Sequence, residues 1–303
     1  MKKKILLTGG GGFAAGNIIS QANIDSNFEI HAIELREVPF NQERLIWHIL
    51  DLQDSERLKD TFYRVQPDVL VHAAAISDID YCEAHRDIAE NVNTDVTALF
   101  VTLCREMSCR LIYFSSDSVF DGSKGNYTEE DQAEPINVYA RTKVKSENII
   151  KQHAQNWVII RPSLIMGLPV WEAGNSFFWR MVKSLQKGKE VAFPKGEIRS
   201  PIDVITLSKA ILEIANHAYS GILHLSGNNA VSRFDMARRI ADRLGYPKNL
   251  VVDREPVIDS GRAPRPVNVS LCNKKAQMIL KTPMLSLDEG IDLILTSKGE
   301  IGL

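Results

Sequence analysis

A chain of 303 residues is about two domains' worth if a domain takes roughly 150, so it can bury a sizeable core and carry a second lobe. Apolar residues at 44% and charged residues at 24% exclude a disordered tail protein. The 36 Lys and Arg against 38 Asp and Glu, a formal charge of -2, argue against a nucleic-acid binder, which carries a basic excess.

After the basic start, the apolar run 5–7 is too short for an export signal, and no stretch approaches the roughly 18 apolar residues that span a bilayer. Neither a membrane nor a nucleic acid is an expected partner. Short apolar runs over 5–8, 28–33, 45–50, 69–75, 111–115 and 157–160 predict strands. Helix-length segments lie between them, at 14–22, 55–65, 84–107 and 138–154. The βαβα order predicts a Rossmann-type, doubly wound α/β fold with a parallel sheet covered on both faces.

Beyond Arg161-Pro162, glycines and prolines from Gly167 to Pro201 punctuate the chain and predict a crossover into a smaller, more irregular lobe. The expected division is a nucleotide-binding domain over 1–163, joined by a returning strand near 203–230 with its apolar run at 221–225, and a substrate-binding lobe built from 164–202 and 231–303. Helical patterns in that lobe fall at 233–244 and 287–295. Cys82, Cys104, Cys109 and Cys272 form no Cys-x-x-Cys or Cys/His cluster, so no metal site and no disulfide framework is expected, and a reducing cytoplasm fits best.

The first strand runs directly into Thr8-Gly9-Gly10-Gly11-Gly12-Phe13-Ala14-Ala15, followed by a helical pattern. Gly9 permits the tight turn, Gly12 lets backbone N–H groups approach a pyrophosphate at the positive end of the helix, and Ala15 is small enough for close helix packing. The same turn puts Phe13 and Ala14 among the expected cofactor contacts. Glu34, at the end of the second strand, stands near the roughly 20-residue offset at which an acid meets the adenosine ribose. Its carboxylate would favour NAD, whereas Arg36 would neutralise a 2′-phosphate and admit NADP. Asp51 and Leu52, after the third strand, are placed to touch the adenine, although Asp51 serves equally as a cap for the helix near Asp54. Ala73, Ala74 and Ala75 end the fourth strand with side chains small enough for a cofactor to lie close.

Tyr139 and Lys143 stand four apart on a predicted helix, hence on one face, and the fifth strand ends in Ser115-Ser116-Asp117. A phenol near pKa 10 is a poor acid-base group at pH 7, but an adjacent ammonium and a cationic nicotinamide would stabilise its phenolate. Lys143 supplies the first, and Ser116 would bond the substrate oxygen and orient its carbonyl.

Thr8-Gly9-x-x-Gly12, His72-Ala73-Ala74-Ala75, Asn93, Ser116, Tyr139-x-x-x-Lys143 and Arg161-Pro162 together resemble the extended short-chain dehydrogenase/reductases, over nearly the whole chain. Within them, the stretch from Ser115 to Gly122, Pro135-x-x-x-Tyr139, Arg199-Ser200-Pro201, Gly221-x-x-His224-Leu225-Ser226-Gly227 and Arg265-Pro266 look like dTDP-4-dehydrorhamnose reductases. That resemblance implies reduction of the C4 ketone of a nucleotide-linked 6-deoxysugar by NADPH or NADH. Tyr139 would donate the proton, Lys143 hold the nicotinamide ribose and Ser116 polarise the carbonyl. Asn93 would belong to the relay behind the lysine, or serve as a local cap.

The resemblance also places Ser77, Asp117, Asn175, Arg199 and Arg265 in loops that meet the substrate, where the arginines suit a diphosphate, and it leaves room for a homodimer. Three positions depart from the reductase pattern: Ala15 for a third glycine, Ser118 for a tyrosine, and Leu164 where many carry tryptophan. The rival readings are a nucleotide-sugar epimerase, which resembles these reductases at the same triad, and a non-catalytic cofactor-binding regulatory subunit, since the methionine adenosyltransferase beta subunit resembles them too.

Overall fold

The computed structural model describes residues 2–24, 27–38, 44–171, 176–255 and 262–301. Strands β1 (Lys3–Thr8), β2 (Phe28–Glu34), β3 (Leu45–Ile49), β4 (Val69–His72), β5 (Arg110–Phe114) and β6 (Trp157–Pro162) join the returning strand Gly221–Leu225 in one seven-stranded sheet. Every pairing in it is parallel, in the order returning strand, β6, β5, β4, β1, β2, β3. Coverage of both faces explains the unbroken apolar runs. Ile5, Leu6 and Leu7 of β1 are all buried, although successive side chains point to opposite faces. The edge strand β3 differs, with Ile46 and Ile49 exposed.

One face is closed by α1 (Phe13–Ile24) and α8 (Val204–Asn216), whose Ile18, Leu207 and Ile211 pack with Ile5 and Leu7; the other by α2 (Ser55–Val65) and α5 (Val96–Glu106), whose Phe62 and Phe100 pack with Leu6 and Leu70. A separate core forms where α7 (Phe177–Gln186), α9 (Arg233–Arg243) and α11 (Leu287–Ile301) meet, around Phe178, Met181, Ile240 and Ile291. The remaining described strands are two- and three-residue pieces that pair distant segments, such as Ile165–Met166 with Ile202–Asp203. Residues beyond 231 are not confined to this second core. Ala276 of α10 (Lys274–Ile279), with Leu280 and Met284, packs in the same cluster as Leu223 and Leu225 of the sheet.

Two expectations need correction. The strand over 69–75 stops at His72, so Ala73, Ala74 and Ala75 form a loop at the sheet's carboxyl edge. The helix expected over 84–107 runs over 86–106 but is not uniform: α3 (Ile79–Ala84) precedes it and ends before His85, whose φ of -129° and ψ of 62° are not helical, and α4 (Arg86–Glu90) widens into a single π turn, Asn91–Asp95, that feeds α5. Between β1 and β4 the chain reverses its direction of travel across the sheet, and ligands of doubly wound sheets bind in the crevice beyond the carboxyl ends at such a point.

Candidate functional site

The four glycines between β1 and α1 sit at that crevice. Gly9 has φ +70°, and a Cβ there would lie 3.1 Å from the Ala74 Cα, so only glycine fits where the ends of β1 and β4 meet. The turn is closed by the Gly12 N–H donating to the Gly9 carbonyl at 2.9 Å. Helices α2, α6 (Val138–His153), α7, α8 and α9 each begin at a side-chain cap, from Asp54, Asn137, Ser176, Asp203 and Ser232. Gly12, at the corresponding place before α1, brings no side chain. The amides of Phe13, Ala14 and Ala15 have no intrahelical acceptor by helix geometry, and the exposed backbone of Gly12 leaves them approachable by an anion such as a pyrophosphate.

The Glu34 carboxylate lies against this loop, accepting from the Gly11 N–H and the Leu35 N–H, each at 2.8 Å. Arg36 is exposed two residues on. Asp51 is exposed and accepts from the Gln53 N–H at 2.9 Å, while Asp54 caps α2; Leu52 is half-buried against the core. Ala73, Ala74 and Ala75 are half-buried, and the Ala74 N–H donates to Thr8 Oγ1 at 3.1 Å.

At the end of β5, Ser115 and Ser116 emerge at the same edge. Asn137 caps α6 by accepting from the Ala140 N–H at 2.9 Å, which places Tyr139 in the first turn and Lys143 one turn further. Lys143 is buried; its Nζ donates to the Phe114 carbonyl at 2.9 Å and lies 4.9 Å from the Tyr113 ring centroid and 5.8 Å from that of Tyr139. Burial pulls the Lys143 ammonium down to about 8, against the opposing charges of Cys82 and Glu147.

Ser116 lies near enough to Tyr139 to influence its titration, and with Lys143 Nζ beside the Tyr139 ring the three residues share one corner. The Tyr139 pKa is nevertheless raised, chiefly by burial, with Asp117 and Cys82 adding to it and Ser116 opposing. The ammonium was expected to bring the phenol toward neutrality; in the protein alone, desolvation wins. Asp117 is also buried. Desolvation lifts its carboxyl above the usual range, against the charge of Arg199 and hydrogen bonds from Ser163 at 3.0 Å, Ser116 at 3.3 Å and Ser118 at 3.4 Å.

Behind these side chains runs a buried network centred on Asn93, the residue expected in a relay; its partners Thr97 and Ser146 were not marked by the sequence. The Asn93 carbonyl accepts from Thr97 Oγ1 at 2.7 Å and Ser146 Oγ at 2.8 Å. With the Thr97 proton so committed, Thr97 accepts from His72 Nε2 (3.2 Å), and His72 Nδ1 accepts from Thr8 (2.8 Å). His72 is thus neutral, and burial with the nearby Lys143 pulls it down to about 3. The Asn93 side chain bridges the Ile76 backbone (2.8 and 3.1 Å) and Thr142 Oγ1 (3.1 Å), tying the π turn to α6.

The five expected substrate contacts are scattered. Ser77 is exposed, Asp117 stands beside Ser116, and Asn175 lies outside the described residues. Arg199 is buried and its guanidinium donates to the carbonyls of Ile198, Val267 and Pro266. Arg265 grips Asp80 through two bonds, at 2.6 and 2.8 Å, and so holds the 262–268 stretch against α3. Sequence reasoning missed Glu147, buried with Arg161 beneath Ser115; Cys82, packed near Tyr139; and Trp171, whose Nε1 donates to the Gly11 carbonyl at 3.0 Å. Glu147 is four residues beyond Lys143, on the same helix face, which was a usable signal; a lone tryptophan in an irregular stretch offers none.

A family model described as the RmlD substrate binding domain matches residues 2–298. The chain belongs to that family. A hypothetical dTDP-4-dehydrorhamnose reductase from Sulfolobus tokodaii shares 31% identity and superposes with a TM-score of 0.82, over 96% of this chain and 99% of that one. The Bacillus anthracis dTDP-4-dehydrorhamnose reductase, solved in complex with NADP, superposes with a TM-score of 0.86 at 22% identity, over 98% of this chain and all of that one. By sequence, the bovine (Bos taurus) methionine adenosyltransferase 2 subunit beta is 29% identical over 277 residues, 89% of this chain and 80% of that protein. Among the described residues, no helix is long and apolar enough to cross a membrane.

Proposed function

We propose that this family member is an NAD(P)H-dependent reductase of a 4-keto-6-deoxy nucleotide sugar. The observation that carries the reading is the meeting of Ser116, Tyr139 and Lys143 at the sheet's switch point, beside a glycine turn whose helix has no side-chain cap. The residues present fit a dinucleotide: the amides of Phe13, Ala14 and Ala15 for its pyrophosphate, Glu34 for the adenosine ribose, and the small Ala73, Ala74 and Ala75 beside its path. When bound, the reduced nicotinamide supplies a hydride to the carbonyl carbon.

The remaining work falls to the protein's own side chains. Ser116 turns its O–H from Asp117 to the carbonyl oxygen and holds it in place. Tyr139, kept protonated at neutral pH by burial, gives its phenolic proton to that oxygen as negative charge develops there. Lys143, cationic below about pH 8, steadies the phenolate that remains and orients the nicotinamide ribose. The buried neighbours Asn93, Thr142 and Ser146 fix the turn of α6 that carries both groups.

The test is consumption of NADH or NADPH with a panel of 4-keto-6-deoxy nucleotide sugars. Tyr139→Phe should lower kcat by roughly 10²–10⁴ while leaving cofactor binding near its original value. Turnover of a nucleotide sugar with no net cofactor consumption would instead mark an epimerase. The likeness to methionine adenosyltransferase 2 subunit beta favours a second reading, a cofactor-binding regulatory subunit. It predicts association with a larger enzyme whose activity changes equally with wild-type chain and Tyr139→Phe.

A further inference from the structure

The turn Gly9 to Gly12 has no Cβ to restrict it, and such a stretch loses more conformational freedom on ordering than any other. Its two central peptides are nevertheless held from several sides. The Gly11 N–H donates to Glu34 at 2.8 Å, the Gly12 N–H to the Gly9 carbonyl at 2.9 Å, and the Gly11 carbonyl accepts from Trp171 Nε1 at 3.0 Å. The first two bonds are made within the β1–α1–β2 unit. The third comes from a segment that leaves β6 and leads into α7.

The indole is closely fitted. A Cβ on Gly16, one turn into α1, would lie 2.8 Å from Trp171 Cζ2, so the ring rests directly on the helix backbone. Its edge meets Trp47 of β3, with centroids 6.0 Å apart and ring planes at 72°, and Trp47 in turn covers Gly10. A second bond ties the same segment to α1, from Asn17 Nδ2 to the Leu168 carbonyl at 3.1 Å. At its other end the segment reaches the catalytic corner, where Ser163 Oγ donates to Asp117 at 3.0 Å. Residues 163–171 therefore run as a strap from Asp117 to the glycine turn.

We propose that Trp171 is a positioning residue for the dinucleotide, its indole N–H locking the Gly11–Gly12 peptide in the orientation that presents the start of α1 to a pyrophosphate. This rests on the cofactor reading above. Pre-ordering the turn removes an entropic penalty that would otherwise fall on binding. Because the strap also touches Asp117, an ordered turn and an ordered substrate corner support one another.

The decisive measurement is dinucleotide affinity of Trp171→Phe, which keeps an aromatic ring on the strap and removes the donor together with part of the indole's contact with Gly16. Loss of one hydrogen bond should weaken NADPH or NADH binding roughly three- to tenfold. ADP-ribose, which carries the same diphosphate, should weaken by the same factor. The melting temperature without nucleotide should stay within a few degrees, and the KM for the cofactor should rise more than kcat falls. Unchanged Kd values would overturn the proposal, as would a weakening matched by a large drop in melting temperature.

Should Trp171→Phe fail to fold, a chain with Trp47, Trp157 and Trp179 replaced by Phe leaves Trp171 as its sole tryptophan among the four present. Its emission should change on saturation with NADPH or NADH, and constant emission would count against the proposal. A wild-type chain that binds neither nucleotide would overturn the functional reading together with this one, whereas equal binding by wild type and variant would overturn this one alone.

Discussion

Arg161 and Arg265 each hold a carboxylate through two bonds, yet they sit in opposite surroundings. Arg161 and Glu147 are 2% and 0% exposed beneath Ser115, whereas Arg265 and Asp80, beside α3, are 20% and 48% exposed. Beneath the sheet, Glu147 also accepts from Ser115 Oγ at 2.6 Å and the guanidinium lies 5.1 Å from the Phe120 ring, while Arg161 Nη1 has no partner. In that setting neither charge tolerates the loss of the other. Around the exposed pair, water and salt replace a lost partner at little cost.

The comparison breaks most readily at its buried end. Glu147→Gln leaves an uncompensated buried guanidinium and should cost about 3–5 kcal/mol, a fall of roughly 10 °C in melting temperature, whereas Asp80→Asn should cost no more than about 1 kcal/mol. Equal effects by thermal or urea unfolding would remove the distinction.

Lys143 sharpens it, because this buried cation faces no bonded carboxylate. Its ammonium titrates near 8 in the folded protein and near 10.5 when unfolded, so its burial is destabilising below about pH 8 and that penalty fades as pH rises toward 10.5. Lys143→Met should therefore be more stable than wild type at pH 7, by up to about 3 kcal/mol, while losing reductase activity; the gain should shrink through pH 8–10.5.

Histidines follow the same sign in a lower pH window. His72 and His224 are pulled down to about 3 by burial, and His48 to about 4. Each binds a proton near pH 6.5 once unfolded, so stability is complete above that value and is lost as the pH falls. By pH 5 the penalty should reach about 2 kcal/mol for each of the two fully buried rings, visible as a falling melting temperature. The smallest effect belongs to Glu34, half-exposed and bonded to Gly11. Glu34→Gln keeps an acceptor but removes the charge, and should shift the ratio of NADH to NADPH affinity roughly five- to tenfold toward NADPH.

What could be read from the sequence were features with a local pattern. The parallel strands show as apolar runs, the glycine turn as a break between strand and helix, and Tyr139 and Lys143 as a helical spacing. The break at His85 and the π turn could not be read, since no glycine or proline interrupts residues 84–107 and the geometry is fixed by bonds from Asn93 to Ile76 and Thr142. Arg199 and Arg265 looked like anion binders because an arginine's chemistry is evident from its identity while its partner is not. Those partners, the carbonyls of 266–267 and the carboxylate of Asp80, come from chain far away in sequence. Trp171 was silent for the same reason.

The wide turn at Asn91–Asp95 places a constraint on evolution and engineering alike. Val96 donates back to the Asn91 carbonyl, so the backbone here carries one residue more than an ordinary helical turn would. The wide turn takes up that extra residue locally, so α5 keeps the phase that sets Thr97 beside His72 and Phe100 beside Phe62. A length change within α5 itself has no such turn to absorb it and would rotate everything beyond it by about 100°. Single substitutions on exposed positions should be borne easily, and a change of syllable count only where the wide turn can swallow it.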